Sequence, residues 1–132
     1  MAFTYKAIAS TTVGSGGASS ITFSSIPQTY TDLCLLFSLR QDTADQAVNV
    51  RINGSTSSIY SRIVLTQTGP WTSGRSYSGS SEAGFYLDTG SDPSGATANT
   101  FGNGNLYIPN YTSSNNKSLS SDMVSENNGT SN

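Results

Sequence analysis

The sequence predicts an all-β protein, an antiparallel β-sandwich of the jelly-roll kind. The 132 residues include 25 Ser, 16 Thr, 11 Asn and 13 Gly, and only 11% are charged. Short segments in which apolar and polar residues alternate are separated by Gly, Pro and Asn, as in strands joined by turns. A chain of this length forms one domain with a modest core, which we assign to residues 1–124. Residues 125–132 are predicted to be a polar tail.

Residues 31–40, TDLCLLFSLR, hold the densest run of large aliphatic side chains in the chain. Side chains alternate along a strand, so one face would carry Leu33, Leu35, Phe37 and Leu39. The other face is apolar in its middle, at Cys34 and Leu36, which predicts a core strand covered on both faces. A helix is the rival interpretation, because periodicity does not decide so short a run; the Ser, Thr and Pro flanks favour a strand. Cys34 is the single cysteine and is predicted to be a small buried apolar residue rather than a reactive thiol.

Two segments before this strand predict a hairpin. Residues 3–13 and 20–23 have the β-branched, alternating character of strands, and residues 14–17 (GSGG) form the turn between them. A phosphate-binding loop is the alternative for GSGG, but neither a Lys-Ser/Thr pair nor a helical pattern follows it.

Five later segments complete the predicted strands. Residues 47–53 alternate most cleanly and end in Asn53-Gly54, a tight-turn pair in which both residues tolerate positive φ. Further strands are expected at 59–66, 83–87, 106–111 and 117–124. Pro109 suggests that 106–111 lies at a sheet edge or bulge. Residues 41–46, 67–81 and 88–103 are predicted to be loops.

The candidate binding site is a group of aromatic and basic residues in the predicted loop 67–81. Trp71, Arg75 and Tyr77 could form a surface that stacks on a glycan or contacts a partner protein. An aromatic plug at the end of the sandwich is the alternative interpretation. Asp42 and Asp45 are a second candidate, as paired carboxylates for acid–base work or a divalent cation. The pair lacks the other features of a calcium loop, so we expect a solvated loop.

Several function classes are disfavoured by what the sequence lacks. It contains no histidine, so Ser–His and Cys–His nucleophiles and His-based metal sites are excluded. A carboxylate-pair glycosidase remains a minor alternative. The net charge of −2 gives no basic footprint for nucleic acid, and no apolar run reaches the ~20 residues of a membrane span. The start shows no signal-peptide pattern, so cytoplasmic synthesis is expected. We therefore predict a non-enzyme with no cofactor or metal.

Three stretches resemble small β-sandwich virion proteins of tailed bacteriophages, including cyanophages. After an aromatic start they are TTVGSGGASSITFSSIPQTYTDLCLLFSLR, VNVRINGS and NLYIPNYTSSNNKSLSSDMVSENN. The resemblance implies a structural role, either as a capsid decoration or cement protein or as a tail-fibre or receptor-binding module that holds a host glycan. Similar proteins continue past the position of Asn132, which implies either that this chain is a trimmed form or that a neighbouring subunit completes its sheet. The expected partners are the major capsid protein or tail components, and other copies in a homo-oligomer.

Overall fold

The protein consists of short antiparallel strands, as the sequence predicts. The computed structural model describes residues 5–41, 48–67, 74–87 and 99–124, with the backbone alone described at 65–67 and 74–80. Within these ranges there are seven strands and no helix: β1 (Leu33–Leu39), β2 (Val48–Val50), β3 (Tyr60–Gln67), β4 (Gly74–Glu82), β5 (Phe85–Leu87), β6 (Gly102–Ile108) and β7 (Ser120–Val124). This confirms the all-β class. None of the described residues belongs to a helix that could cross a bilayer.

The strands form three antiparallel sheets. One has the order β1-β6-β7, and the other two are the pairs β2-β5 and β3-β4. The buried apolar residues of the described chain are Tyr60, Leu87, Leu106 and Ile108, and none of its side chains is less than 2% exposed. Few apolar side chains are therefore buried, and each of the three sheets contains at least one of them.

The β1-β6-β7 sheet has one apolar face. Leu33 pairs with Ile108, Leu35 with Leu106 and Phe37 with Gly104, so these residues share what we call the inner face. The intervening positions Cys34, Leu36 and Ser38 are exposed and define the outer face.

Two predictions about β1 are wrong. Leu36 is 77% exposed and Cys34 is exposed, so the outer face of β1 is not covered by the described residues. Among the described strands, β1 lies at one end of its sheet. Composition alone misled the prediction, because an apolar outer side chain becomes buried only if a second layer or another chain covers it.

The prediction for β6 is wrong about its position and its start. It is the central strand of its sheet, paired with β1 and β7, and it begins at Gly102, within the predicted loop 88–103, rather than at Leu106. Pairing on both sides overrides the weak strand preference of Gly and Asn. Pro109 follows the last ladder residue, so its missing N–H interrupts no hydrogen bond of the strand.

The hairpin predicted before β1 does not form a ladder of hydrogen bonds between strands. Residues 5–13 and 20–23 form no strand, although the turn between them is present, with Gly17 N donating to Gly14 O at 3.0 Å. Residues 5–31 together are called the arm below.

The Asn53-Gly54 turn is confirmed. Both residues have positive φ, 53° and 66°, and Ser55 N donates to Ile52 O at 3.1 Å, the geometry of a type I′ turn. The strand before it is shorter than predicted and pairs with β5 instead of β3. The turn therefore redirects the chain between two sheets.

Strand β4 occupies residues that were predicted to be a loop. It pairs with β3, and the register shifts so that Tyr60 faces Glu82 while Arg62 faces Gly79. Two residues of β4 oppose one of β3, which is a β-bulge, and Ser81 within it has a φ of 59°. The Ser-rich sequence of β4 has a low intrinsic preference for strands. Its stability comes from pairing with β3 instead.

Candidate interaction surface

The predicted glycan-binding residues are placed only in part by the structure. Trp71 lies outside the described residues. Arg75 and Tyr77 lie two positions apart in β4, opposite Thr66 and Val64 of β3, with the backbone alone described. Residues two apart in a strand share a face, so a joint role of Arg75 and Tyr77 stays a prediction.

The predicted acidic pair is not placed, and no metal centre is found elsewhere in the described chain. Asp42 and Asp45 lie outside the described residues. Across ranges 5–41, 48–67, 74–87 and 99–124, no three His, Cys, Asp or Glu side chains come together as a cation site would need. A depression across the middle of β1, β6 and β7 is open to solvent and contains one acid, Asp122.

Arg62 joins three strands in a contact that sequence reasoning missed. Its Nε donates to Glu82 Oε1 at 3.1 Å, and Glu82 Oε2 lies 3.0 Å from the same nitrogen. Its Nη1 donates to the carbonyl oxygen of Tyr86 at 3.1 Å, and its Cζ lies 5.0 Å from the centre of the Tyr86 ring. The bulge at Ser81 places Glu82 within reach, so no local sequence pattern signals this ion pair. The role of this ion pair is structural, since the Glu82 carboxylate is bound by Arg62.

A second missed contact fixes the end of the β1-β6-β7 sheet. Asp32 accepts hydrogen bonds from the hydroxyl of Tyr107 at 2.7 Å and from the backbone N–H of Asn110 at 2.8 Å. These bonds hold the pKa of Asp32 below its ordinary value, with the Asn110 bond the larger cause. The same contact raises the pKa of Tyr107, to which partial burial and the nearby Tyr5 and Cys34 add. The partners lie 75 and 78 positions apart, too far for any local pattern to show.

The base of the arm is attached to the same end of the sheet. The Tyr111 hydroxyl donates to the carbonyl oxygen of Pro27. The loop that carries Tyr111 is itself stabilised by Lys117, whose Nζ donates to the Ser113 carbonyl oxygen at 2.5 Å and to its hydroxyl at 2.9 Å. The base of the arm is thus held against the loop that follows β6.

The rest of the arm is exposed although it carries almost no charge. Every residue from 5 to 25 is exposed, and Lys6 is the one charged residue between positions 5 and 31. Large apolar side chains recur along it with these exposed fractions: Tyr5 83%, Ile8 40%, Val13 41%, Ile21 43% and Phe23 36%. A solvated, disordered segment would normally be charged and poor in such residues.

The strand that follows the arm presents an open edge. No strand of the described chain pairs with the second side of β1, and its sequence LCLLFSL contains neither charge nor proline. An apolar edge of seven residues is a template for another strand. The exposed arm and the open edge of β1 are the features of this structure that suit contact with another chain.

No protein-family model, curated protein or solved structure matches this sequence.

Proposed function

We propose that this chain is a structural protein of the phage particle surface, of the capsid decoration or cement type. The observations that carry the proposal are the exposed, nearly uncharged arm and the open edge of β1. Such surfaces become buried when subunits assemble. The resemblance to small virion proteins supports the same role. Catalysis, a cofactor and a metal have no part in it.

The small core also favours assembly. A domain of this size buries less of its surface than a larger one does, and contacts between copies add to its stability. We infer a β-sandwich of the jelly-roll kind in which neighbouring subunits complete the sheets. The partners in this proposal are the major capsid protein or tail components and further copies of the chain, with the virion as its location.

The second candidate is a tail-fibre or receptor-binding module. Arg75 and Tyr77 lie two positions apart in β4, close in sequence to Trp71, and an aromatic ring beside a cation is a common way to hold a sugar. In this case the ligand would be a host glycan. A carbohydrate-active enzyme is the third class, disfavoured because the sequence contains no histidine.

The deciding experiment is cryo-electron microscopy of intact particles of a phage that carries this gene, compared with particles from which the gene is deleted. Difference density repeated over the capsid lattice would establish the decoration role. Difference density confined to the tail would favour the receptor-binding module. If the two maps do not differ, both virion roles are wrong.

A glycan-binding assay separates the second candidate further. The receptor-binding role predicts binding that is lost in Trp71→Ala and retained in Phe101→Ala, a matched loss of an aromatic side chain that is 47% exposed elsewhere. Equal loss in both variants would indicate non-specific binding through exposed aromatic residues. Hydrolysis of a polysaccharide by the purified chain would contradict both virion roles.

A further inference from the structure

The turn in the arm has the geometry of a hairpin loop. Gly17 N donates to Gly14 O at 3.0 Å and Gly17 has a φ of 73°. A type I turn followed by a left-handed residue is the usual three-residue hairpin loop. That loop would pair Gly14 with Ala18, and continuing outward it would place Thr11 opposite Ile21.

This register sorts the side chains of the arm onto two chemically different faces. Paired residues share a face and successive residues alternate, so all odd-numbered positions from 5 to 23 would lie on one side. That side carries four of the five large exposed apolar residues, namely Tyr5, Val13, Ile21 and Phe23. The other side carries Ser10, Thr12, Ser20, Thr22 and Ser24, with Ile8 as the exception. The arm therefore encodes a two-stranded ribbon with one apolar face.

A ribbon of this kind needs a sheet to join. An isolated two-stranded hairpin is marginally stable in water, and in the single chain the arm forms no ladder with its own β1. The open edge of β1 is the better acceptor of the two edges in its sheet. It offers seven uncharged residues, whereas β7 offers five that include Asp122.

We propose that residues 5–24 close into an amphipathic β-ribbon that adds to the open edge of β1 in a second copy of this chain. The apolar side of the ribbon would extend the inner face of the sheet formed by Leu33, Leu35 and Phe37. The biological purpose of this strand addition between copies rests on the proposed assembly role. The geometry of the ribbon is argued from the residues of the arm and does not depend on that role.

One contact favours a second copy over the same chain, and two further properties of the arm suit an interface between chains. The Tyr111–Pro27 contact holds the base of the arm at the loop after β6 instead of beside the open edge of β1. Residues 5–24 supply twenty residues, and a standard interface takes roughly 20–30 from each partner. Lys6, near the start of the ribbon, is the one charged residue among residues 5–24, so burial of residues 7–24 leaves no charge without a partner.

Cross-linking to Cys34 tests two things at once: which side of the ribbon lies on the outer face of the sheet, and whether the acceptor strand belongs to a second copy. A tagged Ser20→Cys/Cys34→Ser chain is mixed with the untagged unaltered chain and treated with a short bismaleimide. Ser20 would share the outer face with Cys34, so a mixed dimer of tagged and untagged chains is expected. Thr22→Cys in the same background covers the neighbouring register.

The matched control is Ser19→Cys/Cys34→Ser, one residue away on the opposite face. It should give several-fold less mixed dimer than the Ser20 or Thr22 variant. Equal yields from positions 19 and 20 would contradict the proposed ribbon. A chain that carries both Ser20→Cys and Cys34 should cross-link between chains; a product confined to one chain would show that the arm folds back on its own sheet and would overturn the exchange.

Self-association of the full chain is the second measurement. Ile21→Ser/Phe23→Ser should weaken the dimer, measured by analytical ultracentrifugation, by at least about tenfold. Ser20→Ala/Thr22→Ala on the polar side should leave it nearly unchanged. Circular dichroism at a concentration low enough to keep all of them monomeric should show the same strand content, because the substituted residues lie outside β1–β7. An unaltered chain that stays monomeric at every concentration would contradict the proposal.

The outcomes separate this inference from the proposed function. Mixed dimers from a chain that is absent from the particle would support the ribbon and refute the virion role. A chain that is present on the capsid lattice but forms no mixed dimer would support the virion role and refute the ribbon.

Discussion

The ring of Phe37 occupies the space that a side chain on Gly104 would fill. The two residues are directly paired in β1 and β6, and a Cβ built on Gly104 would lie 2.7 Å from Cζ of Phe37. It would lie equally close to Cγ of Met123 and to the carbonyl oxygen of Asp122. The glycine in the middle of β6 thus permits side chains from both neighbouring strands to meet above it, which is the usual reason for glycine within a strand.

Gly104→Ala should therefore destabilise the fold. The added methyl group forces Phe37 and Met123 apart, and overpacking of this kind costs about 1–3 kcal/mol of the free energy of unfolding. Gly16→Ala is the matched control, because a Cβ there has nothing within 4 Å and should change stability by less than about 1 kcal/mol. Urea denaturation measures both. Equal effects at the two positions would show that Phe37 does not pack over Gly104.

The Asp32 contact should make stability depend on pH at both ends of the range. The pKa of Asp32 is lowered from 3.8, so the carboxylate stabilises the folded state above that pH. This contribution is lost as the pH falls through the lowered value. The pKa of Tyr107 is raised from 10.0, so its contribution is present below that pH and is lost as the pH rises through the raised value.

Two variants separate these contributions in denaturation measured across pH. Asp32→Asn should be less stable than the unaltered chain at neutral pH, and the difference should shrink in acid. Tyr107→Phe retains the Asn110 bond and should remove the loss at alkaline pH. If the Asp32→Asn difference were the same in acid and at neutral pH, the carboxylate would not be the group responsible.

The sequence was sufficient for features that depend on neighbouring residues. The all-β class, the Gly14–Gly17 turn and the Asn53-Gly54 turn were predicted correctly, since glycine and asparagine at positive φ signal turns locally. The position of each strand in its sheet was not, because that depends on long-range pairing. For example, residues 106–111 were predicted to lie at a sheet edge or a bulge, whereas β6 lies between β1 and β7.

The contacts that organise the surface were beyond sequence reasoning for the same reason. Asp32 reaches Asn110 across 78 positions, and Arg62 meets Glu82 through a bulge that a run of serines does not signal. The alternation of Arg75 and Tyr77 with serines was the one available sign of β4. The β-branched, alternating residues of the arm predicted two paired strands there. The described single chain contains no such pairing.

Removal of the Tyr60 hydroxyl should loosen the turn at Asn53-Gly54. The hydroxyl accepts from Ile52 N at 3.2 Å and lies 3.3 Å from the Ile52 carbonyl oxygen, and the residue is 7% exposed. Tyr60→Phe retains the edge-to-face contact with Phe85, 4.8 Å between ring centres. It should cost about 0.5–1.5 kcal/mol.

Tyr30→Phe is the control for the loss of a phenol hydroxyl, since Tyr30 makes no side-chain hydrogen bond within the described chain. Thermal denaturation of both variants provides the comparison, with faster amide exchange at Ser55 in Tyr60→Phe as the local readout. Unchanged exchange at Ser55 would show that the hydroxyl does not hold the turn.

The Arg62–Glu82 pair should be strongly coupled although it is near the surface. The side chains are 20% and 17% exposed, so water screens them less than a fully exposed pair. Arg62→Met should cost more than Glu82→Gln, because it also removes the bond to the Tyr86 carbonyl and the contact with the Tyr86 ring. A double-mutant cycle should give a coupling free energy of about 0.5–3 kcal/mol.

The same substitution at Arg51 is the matched control. Arg51 is exposed and donates to the Ala83 carbonyl oxygen at 3.2 Å without an acidic partner in the described chain, so Arg51→Met should change stability by about 1 kcal/mol or less. Raising the salt concentration should reduce the Arg62–Glu82 coupling and leave the Arg51 effect nearly constant, because salt screens charge pairs more than single hydrogen bonds to carbonyls. A coupling near zero at low salt would mean that the pair with Glu82 adds nothing to the stabilisation by Arg62, and that the bulge at Ser81 has no role in presenting Glu82 to it.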